Sequence, residues 1–346
     1  MEYPKFKVCC RCFTFNQAKY ITDAMNGFTM QQTSFPFVCT IVDDASTDGE
    51  QDVIRKYVNE NFDFAEGSVA YHKETDYAHI TYAQHKTNKN CYFAVLYLKE
   101  NLYSKNQHEK KMEYISEWRN LCEYEALCEG DDYWIVPEKL ERQVTALDSD
   151  SSLSLCAHWF NKFNQRNNSI EKVGYDGNVI TLNTLIKNHS IISTNSMVYR
   201  RECINSLNSD FIKKYIVFDY SIKILLAIQG GVLIIPEIMS TYREYSSASW
   251  TSQARVNKDF LIEHHLFAIE SIEHIIMLSD RSYEPILREE IVRRETEVAI
   301  LKGDLNKILK KPWSDFFSAQ SLRSKLSFYL HVIFPIVYNF MTKIKK

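Results

Sequence analysis

Three carboxylates stand close together in the segment 129–134, whose sequence is Glu-Gly-Asp-Asp-Tyr-Trp. The preceding residues 125–128 are typical of the end of a buried strand, so Glu129, Asp131 and Asp132 would lie just beyond it. Carboxylates at this spacing repel one another unless a cation or a proton neutralises them. Such oxygen ligands suit Mg²⁺ or Mn²⁺, which share phosphate oxygens with a substrate. The segment predicts a divalent-cation site, and the alternative is a solvated acidic turn.

A second acidic turn, Asp43-Asp44, follows the apolar run 39–42. One of its carboxylates could accept a hydrogen bond from a base imide N–H or a ribose hydroxyl. The alternative is that Asp44, Ser46 or Asp48 caps the helix that follows, because carboxylates favour helix N-termini. The two acidic strand ends together predict a nucleotide site with a bound metal.

The elements that would position these turns alternate between strand and helix. Strands are predicted at 6–13, 37–42 and 124–128, and helices at 18–30 and 48–61. Asn16 is the expected N-cap of the first helix. This alternation indicates an α/β fold with a mostly parallel, doubly wound sheet. Ligands bind beyond the carboxyl ends of the strands in such sheets, which places both acidic turns in one site.

Further elements follow from the same patterns. Short strands are predicted at 69–72 and 80–82, a helix at 91–101, a helix from 136 to 148, a strand at 153–160, a loop at 164–178, a helix at 182–188, strands at 196–199 and 232–235, and a helix at 218–229. The pattern is helical from 257 to 309. We expect one α/β domain at 1–250 and a helical C-terminal region with a basic amphipathic tail at 251–346.

Composition narrows the class of protein. The chain has 346 residues, 25% of them charged, and a net charge of −3, so no nucleic-acid partner is expected. Its nine cysteines are scattered, and no secretory signal precedes the first strand. These features indicate buried free thiols and a cytoplasmic location. The Cys9-Cys10-Arg11-Cys12 cluster is expected to be core strand rather than a metal site, because adjacent strand side chains diverge.

Two of these segments also resemble a known family. The stretch 6–57, with Thr14-Phe15-Asn16 and Val-Asp-Asp-Ala-Ser-Thr-Asp-Gly at 42–49, is similar to the start of family 2 glycosyltransferases. The segment 129–134, followed by Pro137, resembles the Asp-x-Asp region of that family. The resemblance covers roughly residues 5–245. It implies a GT-A fold, a nucleotide-diphosphate sugar donor, Mn²⁺ or Mg²⁺, and inversion of the anomeric carbon.

The resemblance also implies roles for single residues. Thr14 and Asn16 would border the nucleotide, Asp44 would face the base with Asp43 beside it, Asp131 would lie near the ribose or sugar and among the metal ligands, and Asp132 would be the main metal ligand. Glu129 would be a further metal ligand, at a position where many members have Asp.

The remaining implied residues lie downstream. The family places an acidic residue at the start of a helix that ends in glycine, followed by a strand and a Tyr-Arg pair. Asp219 occupies the first position here and would be the catalytic base; the alternative is that it only caps its helix. Arg243 completes the pair and would reach the diphosphate, because its planar fork suits phosphate oxygens. A surface ion pair is the alternative for Arg243.

The implied function is transfer of a sugar from a nucleotide-diphosphate donor, a UDP-sugar, to a hydroxyl of a glycan or lipid-linked oligosaccharide in cell-surface polysaccharide biosynthesis. One alternative is a nucleotidyltransferase, which would begin with a glycine-rich basic loop that residues 14–17 lack. A non-catalytic nucleotide-sugar-binding or membrane-scaffold protein is the other.

The tail at 310–346 is basic and carries the apolar run 328–338. That run is shorter than the roughly 20 residues that span a bilayer. Basic flanks around an aromatic segment favour peripheral contact with an anionic membrane, here the inner face of the cell membrane. The alternative is a helix packed on the domain or on the partner subunit of a homodimer.

Overall fold

The computed structural model describes residues 3–105, 107–205, 215, 219–246, 252, 254, 257–279 and 281–333. The chain divides into two compact units, Met1–Ser252 and Gln253–Lys346. Of the predicted features, Phe218 and the tail residues from 334 onward lie outside the described residues.

The first unit contains all the strands of the described chain. They are β1 (Val8–Thr14), β2 (Phe37–Asp43), β3 (Tyr71–Glu74), β4 (Ala78–Gln84), β5 (Cys91–Leu98), β6 (Tyr124–Leu127), β7 (Tyr133–Trp134), β8 (Leu153–Asn164), β9 (Ser169–Val173), β10 (Val179–Ile180), β11 (Val198–Arg200) and β12 (Gly231–Glu244). Its helices are α1 (Ile21–Thr29), α2 (Glu50–Asn61), α3 (His108–Tyr114), α4 (Ser116–Arg119), α5 (Lys139–Ser149), α6 (Leu182–Lys187), α7 (Arg201–Asn205) and α8 (Asp219–Gln229).

One mixed sheet organises the unit, in the order β10-β12-β8-β11-β6-β1-β2-β5-β4-β3. Its centre, β6-β1-β2-β5, is parallel, and β12 runs parallel to β8. The pairs of β4 with β5, β3 with β4, and β11 with both β6 and β8 are antiparallel. The α/β class is confirmed, but the expectation of a mostly parallel sheet is right only for the centre and for the pair of β12 with β8.

Residues 91–98 were expected to be helical and form β5 instead. All eight residues of this strand are buried, because it lies between β2 and β4 and has protein on both faces. A strand buried on both sides carries a continuous apolar run, which periodicity cannot distinguish from a buried helix.

Two other expectations about strands need correction. The predicted loop 164–178 contains β9, which pairs with the end of β8 as a hairpin. Because β9 is mostly exposed, most of its residues are polar and resemble those of a loop. The strand expected to stop before Pro236 continues to Glu244. Its register with β8 shifts between Ile235 and Ile238. Such irregularities are where a strand tolerates a proline.

The core lies between the sheet and helices α1, α2 and α5. It includes Cys10, Cys39, Phe28 and Phe93, all essentially inaccessible to solvent. All nine cysteines are free, and eight of them are buried. The prediction of buried free thiols, with the cysteine cluster as core strand, is confirmed.

The second unit is helical in its described part. Its helices are α9 (Lys258–Leu278), α10 (Glu284–Lys302), α11 (Leu305–Ile308), α12 (Trp313–Ala319) and α13 (Leu322–Ile333). A small core joins Ala299, Ile308, Phe317 and Phe328. No helix in the described part of the chain combines the length and apolar character required to cross a membrane.

Candidate active site

The two acidic turns meet at one edge of the sheet. Thr14 at the end of β1 lies beside Asp43 at the end of β2, and β6 flanks β1 on its other side. The backbone N–H of Asp44 donates to the carbonyl of Thr14 at 3.0 Å, and that of Gly130 donates to the carbonyl of Phe13 at 3.2 Å. The sheet therefore holds both turns against the end of β1.

Gly130 allows this close approach. A Cβ atom added there would lie 2.1 Å from Oγ1 of Thr14 and 2.6 Å from Oε1 of Gln17. Any side chain at position 130 would push the acidic turn away from the end of β1. Glycine thus fixes the positions of Glu129 and Asp131 on either side of it.

Asp131 and Asp132 are buried neighbours, each with one oxygen held by the protein. Oδ1 of Asp132 accepts the backbone N–H of Arg243 at 2.8 Å, and Oδ2 of Asp131 accepts the hydroxyl of Ser246. Burial raises the pKa of both carboxyls, and repulsion from Asp131 adds to the rise for Asp132. Burial also raises the pKa of the half-buried Glu129 to about 7, and repulsion from Asp131 adds to that rise.

These carboxylates suit a cation that phosphate and water help to coordinate. Among the residues that the structure describes, no three His, Cys, Asp or Glu side chains are grouped to hold a metal ion together. Glu129 therefore does not join Asp131 and Asp132 in a three-ligand group. Mg²⁺ and Mn²⁺ sites in nucleotide enzymes need only one or two carboxylates, since the phosphates supply further oxygens. The donor set fits a metal of that kind.

Arg243 connects strand β12 to the acidic turn. Its Nη1 donates to the carbonyl of Asp131 at 2.7 Å, and its Nη2 pairs with Asp23 on α1. The guanidinium carbon lies 4.4 Å from the ring centroid of Tyr133. Each terminal nitrogen keeps one further N–H, and Nε has no hydrogen-bond partner among the described residues, so the contact with a diphosphate stays a prediction. The pair with Asp23 matches the ion-pair alternative, although the arginine is buried.

Asp44 is enclosed, which contradicts the expectation that it faces a base. Its carboxylate accepts the backbone N–H groups of Leu102 and Tyr103 at 2.7 and 3.1 Å. Nζ of Lys111 on α3 lies 2.6 Å from Oδ2 of the same carboxylate. With no exposed surface, Asp44 anchors the segment that follows β5.

Asp43, unlike Asp44, has a carboxylate oxygen without a hydrogen-bond partner in the described residues. Its Oδ1 accepts the backbone N–H of Ser46 at 3.1 Å and Nε2 of Gln51 at 2.6 Å. Its Oδ2 is buried and has no hydrogen-bond partner within the described residues. Burial raises the pKa of this carboxyl, because a lone buried charge is costly. An N–H donor of a ligand would satisfy that oxygen.

Asn16 joins the loop after β1 to the loop after β2 and does not cap α1. It has a left-handed backbone with φ of 53°. Its Oδ1 accepts the backbone N–H of Thr47 at 2.7 Å, and its own N–H donates to Oγ of Ser46 at 2.9 Å. Helix α1 begins at Ile21 without a side-chain cap. The amide of Asn16 is used to shape the loop after β2.

Asp219 begins helix α8 on the other side of the acidic turn. Its Oδ2 accepts Nζ of Lys223 at 2.7 Å, and the carboxylate is partly exposed. Burial first, and then the charges of Asp132, Asp131 and Asp219, raise the pKa of the Tyr242 phenol. The charges of these three carboxylates therefore act on one phenol.

Sequence reasoning missed Glu50, a wholly buried carboxylate between the two turns. Its Oε2 accepts the backbone N–H of Gln17 at 2.9 Å and the hydroxyl of Ser46 at 2.8 Å. Its Oε1 contacts the hydroxyl of Thr14. An acidic residue in the first turn of a helix is ordinary, so nothing in the sequence separated Glu50 from a solvated one.

Curated relatives of this chain are found in mycobacteria, whereas no family model matches. The uncharacterized protein Rv1520 of Mycobacterium tuberculosis and the uncharacterized protein Mb1547 of Mycobacterium bovis are each 28% identical over 242 residues. Each alignment covers 69% of this chain and 59% of the relative. The chain thus spans about three fifths of the length of these relatives.

Solved structures with a similar fold include TarS of S. aureus. The complex of TarS 1–349 with UDP-GlcNAc has a TM-score of 0.52 at 14% identity, over 94% of this chain and 79% of that chain. The complex with UDP has a TM-score of 0.50 at 14% identity, over 95% and 81%. Identity this low establishes the fold alone. This chain therefore has a TarS-like α/β fold.

Proposed function

We propose that the chain is an inverting family 2 glycosyltransferase of GT-A fold, with its catalytic domain at 1–250. The observation that carries this proposal is the meeting of two acidic strand ends at one edge of the sheet. One end supplies the unused oxygen of Asp43, and the other supplies the buried pair Asp131 and Asp132. The likeness in fold to TarS supports it, since TarS has been solved with UDP and UDP-GlcNAc.

The proposed donor is a UDP-sugar. Uracil presents an imide N–H, which would donate to Oδ2 of Asp43, the buried acceptor that lacks a partner in the described residues. Thr14 and Asn16, which line the end of β1, would border the nucleotide. Asp44 would hold the segment after β5 in place through its ion pair with Lys111 and its hydrogen bonds from Leu102 and Tyr103.

The proposed metal ligands are Asp132 and Asp131. Their two remaining carboxylate oxygens would hold Mn²⁺ or Mg²⁺ together with the donor diphosphate. A bound divalent ion would offset charge on the leaving diphosphate. The N–H of Arg243 and the hydroxyl of Ser246 orient the two carboxylates for this task, since each holds one oxygen.

The proposed catalytic base is Asp219. An acceptor hydroxyl gives its proton to Asp219 while its oxygen forms the new bond to the anomeric carbon, and the nucleotide diphosphate leaves from the opposite face. The configuration at that carbon inverts in this single displacement. The ammonium of Lys223 pairs with Asp219 at 2.7 Å and holds the carboxylate in place.

The proposed acceptor is a glycan or a lipid-linked oligosaccharide at the inner face of the cell membrane, and the proposed pathway is cell-surface polysaccharide biosynthesis. Helix α13 supports contact with a membrane, because Leu322, Leu326 and Leu330 are exposed at positions that share one face. Arg323 and Lys325 flank that face and would contact anionic lipid.

A non-catalytic nucleotide-sugar-binding protein is the second candidate. It is favoured by the ion pair between Arg243 and Asp23, which engages one terminal nitrogen of the arginine within the protein. The two candidates share a binding site and differ in turnover.

The donor class is tested by thermal unfolding of the full chain with UDP, GDP and their sugar derivatives, each with and without Mn²⁺. We expect UDP compounds with Mn²⁺ to raise the unfolding midpoint, because ligand that binds only the folded state stabilises it. Asp43→Asn should weaken UDP binding and leave the protein folded. Equal midpoints with every nucleotide would contradict the proposal.

A further inference from the structure

The carboxyl group of Glu50 lies between the two acidic turns with no exposed surface. It is the first residue of α2, and Gly49 before it has a left-handed φ of 88°. Four groups converge on it, from β1, the loop before α1 and the loop after β2. They are the hydroxyls of Thr14 and Ser46, the backbone N–H of Gln17 and, through Ser46, that of Asn16.

The hydrogens in this network can be counted. The hydroxyl of Thr14 contacts Oε1 of Gln17 at 2.9 Å and also Oε1 of Glu50. Both neighbours are acceptors when Glu50 is ionised, and one hydroxyl has one hydrogen to donate. A protonated Glu50 resolves the conflict: its O–H donates to Thr14, and Thr14 donates to Gln17.

The amide of Gln17 extends the network to the acidic turn. Its side chain lies close enough to the carboxyl of Asp131 to oppose the rise that burial causes in the pKa of that group. Turning the amide over would aim its carbonyl oxygen at a carboxylate, so the amide nitrogen faces Asp131. The chain of donors runs from Glu50 through Thr14 and Gln17 to Asp131, and a proton on Glu50 completes it.

We propose that Glu50 is a positioning residue, whose protonated carboxyl aligns Thr14 and Gln17 and thereby holds Asp131 for the donor. This inference rests on the proposed function for the role of Asp131 and on the hydrogen count for the proton. Glu50 itself touches neither substrate nor metal in this arrangement.

The electrostatic surroundings of Glu50 agree with a bound proton. Burial raises its pKa to about 7, and hydrogen bonds from Thr14, Gln17 and Ser46 oppose that rise. The titratable groups that face it are Cys12 on β1, Asp43 on β2 and Asp48 before α2, whose Oδ1 accepts the backbone N–H of Glu50. An acid whose folded pKa is raised loses stability as pH rises above its unfolded pKa of about 4.5 and through its folded pKa. The network should therefore hold at about pH 6 and loosen at about pH 8.

The test compares wild type with Glu50→Gln, which keeps an N–H donor toward Thr14 after the proton is gone. Glu50→Ala removes the donor at every pH, and Glu60→Gln on the exposed end of α2 is the matched control. Thermal unfolding is measured from about pH 5.5 to 8.5 without ligand, and UDP affinity with Mn²⁺ is measured by calorimetry over the same range.

Relative to Glu50→Gln, wild type and Glu60→Gln should lose unfolding temperature as pH rises from about 5.5 to about 7. Wild-type UDP affinity should fall about tenfold between pH 6 and 8, because the protonated fraction of a group with a pKa of about 7 falls about tenfold over that range. The affinity of Glu50→Gln should stay level. Glu50→Ala should bind weakly at both pH values.

Matching unfolding curves for wild type and Glu50→Gln would overturn the inference that Glu50 carries a proton. An unfolding difference with equal UDP affinities would overturn the positioning role. If wild type binds no UDP at any pH while the unfolding difference persists, the proposed function fails and the protonated network is supported.

Discussion

The backbone N–H of Arg243 donates to Oδ1 of Asp132 at 2.8 Å across 111 residues of sequence. This bond ties the last strand of the sheet to the acidic turn that follows β6. The side chain of the same arginine donates to the carbonyl of Asp131. Arg243 thus orients the carboxylate of Asp132 and holds the backbone of Asp131, on which the proposed metal site depends. Its distance in sequence explains why the residues before and after that turn do not reveal this role.

Asp43 and Asp44 should respond differently to loss of charge. Asp44→Asn leaves the ammonium of Lys111 buried without its carboxylate, so we expect a loss of about 3–5 kcal/mol in unfolding free energy. Asp43→Asn should have a smaller effect on stability. Urea unfolding measures both. Adding Lys111→Met to Asp44→Asn should recover much of the loss, and equal losses in the two single variants would contradict the assigned contacts.

Gly130→Ala should damage both stability and binding. The new Cβ would overlap Oγ1 of Thr14 at 2.1 Å, and overpacking of this kind costs about 1–3 kcal/mol. Gly231→Ala is the matched control, because its Cβ would meet the flexible end of Leu153 at 3.0 Å. Urea unfolding together with UDP calorimetry would separate the effects. Unchanged stability in Gly130→Ala would mean that the turn does not press against the end of β1.

Because Lys139 is buried, we expect the free energy of unfolding to rise with pH. It is fully buried, its Nζ donates to Gln143 at 2.8 Å, and burial lowers its pKa to about 8. The unfolded chain therefore binds more protons than the folded one between about pH 8 and 10.5, so stability rises with pH there. Relative to Lys139→Met, wild type should gain about 2 kcal/mol in unfolding free energy between pH 7 and 9.5. The exposed control Lys56→Met should track wild type; a constant difference for Lys139→Met would contradict the lowered pKa.

The tail is tested by sedimentation with lipid vesicles. Wild type should pellet with vesicles containing phosphatidylglycerol and remain in solution with phosphatidylcholine alone, since basic residues attract anionic lipid. Leu322→Ser with Leu326→Ser removes two side chains that are 73% and 54% exposed and should release the protein. Met277→Ser, at a position 60% exposed on α9, is the control. If wild type does not bind either kind of vesicle but is a dimer in light scattering, and the double variant is a monomer, this face contacts a partner subunit.

The strand ends could be predicted from the sequence, whereas the contacts of individual side chains could not. β1, β2, β6 and α2 followed from apolar runs and turn residues, and the three strands bring both acidic turns to one edge. β5 was missed because a strand buried on both faces has no alternation to detect. The choice between Asp43 and Asp44 depends on Lys111, which reaches Asp44 through the fold and not through any local pattern. Glu50 was missed for the same reason, since its partners come from three separate segments.

Turnover of a UDP-sugar by wild type and by Asp219→Asn decides between catalysis and binding alone. Release of UDP is followed in the presence of Mn²⁺ and a glycan or lipid-linked acceptor, while calorimetry follows UDP binding. We expect wild type to release UDP, Asp219→Asn to lose at least about a hundredfold in rate with UDP affinity unchanged, and Asp132→Ala to lose Mn²⁺-dependent UDP binding. Full turnover by Asp219→Asn would remove Asp219 from the base role, and nucleotide binding without turnover by wild type for any acceptor would contradict a transferase.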